Sequence, residues 1–115
     1  MRSGRILRGQ TFIVMVTCPD RASADRIASS LTSKKLAACV NITQKIKSVY
    51  RWKGKIEEST ELLLIIKTRK ELLDRIIQEV KLNHPYQVPE VIALPIVGGS
   101  PEYMKWLIQE TCQED

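Results

Sequence analysis

The sequence predicts a single α+β domain with the element order β-α-β-β-α-β and a short helix added at the C-terminal end. Three observations carry this. Runs of β-branched and apolar residues with strand character are separated by two stretches of helical 3.6-residue spacing. Two of the strand-like runs are joined by a polar turn around Gly54, the mark of a hairpin. Finally, 115 residues, 43% hydrophobic and 27% charged, suffice for one domain with its own core and exclude long disorder.

Residues 11–18, TFIVMVTC, are mostly apolar and β-branched and stop at Pro19, which reads as a buried strand. Asp20 is a good helix N-cap. Behind it Ala24, Ile27, Ala28 and Leu31 fall on one face of a helix over about 20–34, with Lys34 and Lys35 placed to complement its C-terminal dipole. Residues 37–52 read as one long second strand. Its later half alternates, with Ile46, Ser48, Tyr50 and Trp52 on one side and Lys45, Lys47, Val49, Arg51 and Lys53 on the other. After the Gly54 turn, 60–68 reads as the third strand. Thr68 and Glu71 have capping-box spacing, and Leu72, Leu73, Ile76, Ile77 and Val80 make a helical stripe over about 69–82. Asn83 and Pro85 end it. Residues 91–97, VIALPIV, form the fourth strand, and Pro95 argues for a sheet edge because it cannot donate a ladder bond. Ser100 then caps a short helix with Pro101 at its first position and Tyr103, Trp106 and Leu107 on its apolar face.

That order is the split βαβ, or ferredoxin-like, pattern. Right-handed crossovers place both long helices on one face of a four-stranded antiparallel sheet. The other face should be polar in a monomer, yet Leu62–Ile66 and Val91–Leu94 send apolar side chains both ways. A buried Leu or Ile is worth roughly 1.5–3 kcal/mol. Four left exposed would forfeit several times that and form a sticky patch. The second face is therefore expected to be covered by other subunits, since one short helix is too small to cover it.

The formal charge is +5, from 18 bases and 13 acids. Arg2, Arg5 and Arg8 contribute three of these charges in an acid-free segment, so residues 1–10 read as a flexible basic arm before a single domain over 11–112. The remainder is nearly balanced. Its local pattern, five bases from Lys45 to Lys55 followed by Glu57, Glu58 and Glu61, suits subunits docking complementary surfaces better than a nucleic-acid footprint. Strand 60–68 has no aromatic on which a base could stack, which also speaks against RNA binding. No apolar stretch approaches the ~18 residues of a membrane span. The sequence offers no Ser-His-Asp set, phosphate-binding Gly loop or paired acids, so no enzyme is expected. Three scattered Cys make no disulfide framework and suit a reducing cytoplasm.

Reactive side chains are few. With the first and third strands taken to run one way and the second and fourth the other, Cys18, Cys39, Lys67, His84 and Tyr86 fall along one rim. Thiolate and imidazole there suit copper, zinc or other thiophilic ions rather than magnesium or calcium. A nearby Lys favours thiolate. The competing reading makes the cysteines small buried hydrophobes and His84 a helix-stop residue that satisfies nearby backbone groups. Cys112 reads as an exposed thiol near the C-terminus.

The segments TCP (17–19), LAACVNI (36–42), SVYRWKGKI (48–56), ELLLIIKT (61–68), HPYQVPEVIALPI (84–96) and YMKWL (103–107) occur in order, and with them the chain closely resembles the CutA family of divalent-cation tolerance proteins over about 11–110. The resemblance implies a compact homotrimer of ferredoxin-like subunits, tolerance to copper and other divalent ions, and binding of copper or another divalent metal. Carried over by motif, the metal-linked residues would be Cys18, Cys39 and His84. Glu61 and Lys67 would be the charged lining of an intersubunit cleft, and Tyr50, Trp52, Tyr86, Tyr103 and Trp106 its aromatics. Gln87 stands where an acid is expected after HPY. The alternative is a trimeric PII-like signalling or scaffold module, whose intersubunit clefts would take a partner protein or a small anion received by Lys67, Arg69 and the basic hairpin.

Overall fold

The computed structural model describes residues 10–113. The expected basic arm lies outside them except for Gln10, whose carbonyl accepts from the Lys70 amide at 3.0 Å. The elements are β1 (Thr11–Cys18), α1 (Arg21–Ser33), β2 (Cys39–Ile42), β3 (Ile46–Trp52), β4 (Lys55–Arg69), α2 (Leu73–Asn83), β5 (Val91–Pro95) and α3 (Pro101–Glu110). The sheet order is β2-β4-β1-β5, with β3 paired to the first half of β4, and every pairing is antiparallel. This is the ferredoxin-like arrangement the element order predicts.

Sheet register sorts the side chains. Val14 sits between Ile66 and Ala93, and Val16 between Leu64 and Val91. These residues face the helices and close the core with Ala24, Ile27 and Leu31 of α1 and Ile76 and Val80 of α2. Asp20 caps α1 as expected, accepting from the Ser23 amide at 2.8 Å, and Ser100 caps α3 through the Tyr103 amide. α1 and α2 are tied by Glu79, which accepts from Ser30 and, at 2.7 Å, from Lys34. Arg26 reaches across to the Asn83 carbonyl at the end of α2.

Several expectations are corrected. The single strand over 37–52 is two. Ile42 pairs with Leu64 but Ile46 pairs with Glu61, so four steps on one strand answer three on the other. That is a β-bulge, which leaves one residue extra and re-aims the chain beyond it. Thr43 holds it, its amide donating to Leu63 O at 3.0 Å and its hydroxyl accepting from Leu63 N at 2.9 Å. The third strand is longer than 60–68 and runs back to Lys55. The hairpin turn is the pair Lys53-Gly54, both at positive φ (50° and 80°), as tight hairpins require. The capping box at Thr68 does not form. β4 continues through Arg69 and enters α2 by a 3-10 turn, while the buried Thr68 hydroxyl donates to Leu36 O at 2.7 Å.

The face away from α1 and α2 is partly covered. α3 lies on it, fixed by Arg69, which donates to the Thr111 hydroxyl at 3.0 Å and carbonyl at 2.9 Å. Met104 and Leu107 are buried under this helix. Beyond it Ile92 (52% exposed) and Leu94 (50% exposed) stand open on β5, and Val49, Trp52 and Ile56 stand open on the hairpin arm. The expected apolar second face is therefore present, and α3 closes only part of it.

Candidate functional site

The chain does not bring the predicted metal-linked residues to one rim. β1 and β2 both pair antiparallel with β4, so they run the same way, and the assumption that β1 and the hairpin's second strand are co-directional fails. The reason is the right-handed crossover through α1, which returns β2 parallel to β1 with β4 inserted between them. Cys18 pairs with Leu62, whereas Cys39 pairs with Lys67 five residues further along β4. At ~3.3 Å per residue that is about 17 Å, and an odd step puts the two on opposite faces. Cys18, Glu61, His84 and Tyr86 gather at one end of the sheet, while Cys39 and Lys67 lie at the other.

At the first end, His84 follows the last residue of α2 and is buried. Its Nε2 lies 2.7 Å from the Thr17 carbonyl, and its Nδ1 accepts from the Tyr86 amide at 3.1 Å. A carbonyl only accepts and an amide N–H only donates, so the ring proton sits on Nε2 and the Nδ1 lone pair is taken. The ring also stacks at a tilt on Tyr86, centroids 4.9 Å apart. His84 is thus the strut that the helix-stop reading describes. Cys18 beside it is fully buried, and that burial pushes its thiol up to about 11.

The bulge builds a groove next to this strut. By shifting register one residue, it turns Ser48, Tyr50 and Trp52 onto the face of Glu61. The groove holds about 760 Å³ and is also lined by Thr17, Tyr86 and Glu90. Glu61 is only 6% exposed and accepts from the Tyr86 hydroxyl at 3.1 Å. Partial burial and this carboxylate push the Tyr86 phenol up to about 12. Glu61's burial is not legible in the sequence, because one polar residue ahead of an apolar strand reads as a solvated strand end.

At the other end, Lys67 donates to Asn41 Oδ1 and lies 3.9 Å from Cys39 Sγ. Arg69, expected to receive an anion, is spent on Thr111 and Glu71. Tyr103 and Trp106 stack on each other at 5.3 Å and remain exposed. Cys112 is half-buried rather than exposed, and all three thiols are free.

A resident copper ion does not fit these donors within one chain. Cys39 is remote, both nitrogens of His84 are engaged, and Cys18 is sealed in. Among the described residues no three Cys, His, Asp or Glu side chains are arranged to hold a metal.

The family model described as CutA1 divalent ion tolerance protein matches residues 12–110. The rice "Protein CutA 1, chloroplastic" is 54% identical over 101 residues, 88% of this chain and 57% of that protein. The chain thus spans little more than half of that relative. The "Divalent-cation tolerance protein CutA" of Thermus thermophilus is 44% identical, with 86% of this chain and 96% of that protein covered. Among solved structures, CutA1 from Oryza sativa superposes with a TM-score of 0.87 at 50% identity, covering 93% of this chain and 98% of that one.

Proposed function

The chain belongs to the CutA1 divalent ion tolerance family, and on that premise we propose that it serves divalent-cation tolerance as a homotrimer that takes copper or another thiophilic ion as exchangeable cargo at the Cys18–His84 rim. One observation carries the choice of rim: Cys18 follows Thr17 at the end of β1, and His84 holds the Thr17 carbonyl, so a thiol and an imidazole from positions far apart in sequence come to the same strand end. Capture there competes with the Cys18 proton and with two hydrogen bonds of His84. Each such bond contributes about 1 kcal/mol. Binding of this kind is weak, exchangeable and stronger at alkaline pH. Within one chain Cys39 lies about 17 Å away along β4 and takes no part in this rim.

The trimer rests on the half-covered second face, where Ile92 and Leu94 stand open, and on the family premise. Three free thiols support a reducing compartment. Copper titration by calorimetry tests the site with the wild type, Cys18→Ser, Cys39→Ser and His84→Ala. Loss of affinity in Cys18→Ser and His84→Ala supports it. Unchanged affinity in both removes the rim from the account.

A further inference from the structure

Phe12 and Leu73 border a recess of about 670 Å³ where the chain enters β1 and α2 begins. Both side chains are half-buried against the edge of the core. Gln10, Lys70, Glu71 and Asp74 complete the lining. Phe12 points to the same side of the sheet as Val14 and Val16, toward the helices, because side chains alternate along a strand. Ile92 and Leu94 pair with Met15 and Ile13, which point the other way. The recess therefore lies opposite the open face that is assigned to subunit contact.

The charges of the lining are unevenly used. Glu71 is engaged by Arg69 at 3.2 Å. Asp74 takes part in none of the ion pairs among the described residues. An exposed acid is ordinarily just solvated. What singles this one out is the half-covered Phe12–Leu73 pair beside it and the composition of the segment that enters here. Residues 1–9, MRSGRILRG, hold three Arg, the adjacent Ile6 and Leu7, and no acid. Gln10 itself lines the recess, so Arg8 and Leu7 stand two and three residues from it, within about 7 and 11 Å of extended chain. The tether makes the contact intramolecular, so a pairing too weak for separate molecules can be populated.

We infer that this recess seats the basic arm of its own chain, with Leu7 against Phe12 and Leu73 and Arg8 paired with Asp74. The inference uses neither the Cys18–His84 rim nor the subunit contact, so the copper titration can fail without touching it.

Amide hydrogen exchange of the full chain, read by mass spectrometry, tests it. The expected result is exchange at residues 6–9 slowed about tenfold or more relative to unstructured chain. Leu7→Asp abolishes that slowing, and because it lies outside the domain the amides of β1 and β4 stay protected. Asp74→Lys, at an exposed position, lowers it about two- to fivefold, as for an exposed ion pair. Adding Arg8→Asp to Asp74→Lys restores it. Exchange of residues 6–9 at the unstructured rate in the wild type overturns the proposal. So does protection that survives both Leu7→Asp and Asp74→Lys, which would seat the arm elsewhere, on another copy included.

Discussion

His84→Ala separates the strut from the ligand. The substitution removes a bond to the Thr17 carbonyl at 2.7 Å and one from the Tyr86 amide at 3.1 Å. Each is worth about 1 kcal/mol net, and a buried carbonyl left unmatched costs about 1–3 kcal/mol. Thr17 is itself buried, so its oxygen has little access to water in exchange. The total loss is therefore about 2–4 kcal/mol. Urea unfolding at one fixed protein concentration measures it, because assembly makes apparent stability depend on concentration. His84→Gln, whose amide can still donate to Thr17, should recover part of the loss. A change below about 0.5 kcal/mol, the size of an ordinary surface substitution, would refute the reasoning. It would mean that the ring nitrogens are not holding the end of β1 to the chain after α2.

Three further outcomes follow from the same geometry. The Cys18 thiol rises from 9.0 to about 11 through burial, so the fold favours its protonated form; that stabilisation is complete below pH 9 and is lost as pH rises through about 11. It amounts to about 2–3 kcal/mol, and Cys18→Ala should flatten the alkaline limb of the urea midpoint by that amount; parallel curves would contradict it. Glu79 is held below its ordinary 4.5, first by Lys34 and then by Ser30, so its contribution is present above pH 4.5 and lost as pH falls through the lowered value. A surface pair of this kind is worth under about 1 kcal/mol, and Glu79→Gln should be measurably less acid-sensitive than wild type by circular dichroism. Leu94→Asp puts a charge on the open apolar face, costs the isolated subunit little and should shift the assembly to smaller species in light scattering; an unchanged particle size would place the interface elsewhere.

Elements are legible in the sequence where period and caps agree. Asp20 ahead of the α1 stripe, Ser100-Pro101 ahead of α3 and the run Thr11–Cys18 all appear as read. Strand direction is not legible in the hydrophobic pattern, which carries no polarity; only the handed crossover decides it, and it sets β1 and β2 both antiparallel to β4. The bulge was invisible because its signal is one threonine hydroxyl standing in for a ladder carbonyl. The capping box failed because Thr68 found a buried acceptor, Leu36 O, 32 residues away. The site suffered more than the fold. His84's role turns on two backbone partners that meet it only in three dimensions, and Glu61's burial depends on where the bulge throws Tyr50 and Trp52.

Native mass spectrometry with and without copper tests the central claim most directly, because it reads subunit number and metal stoichiometry together. The account predicts a particle of three times the 13.1 kDa chain that gains copper in the wild type and loses that gain in the Cys18→Ser variant. A stable 13.1 kDa monomer would contradict the assembly, and a trimer that gains no copper would contradict the metal reading.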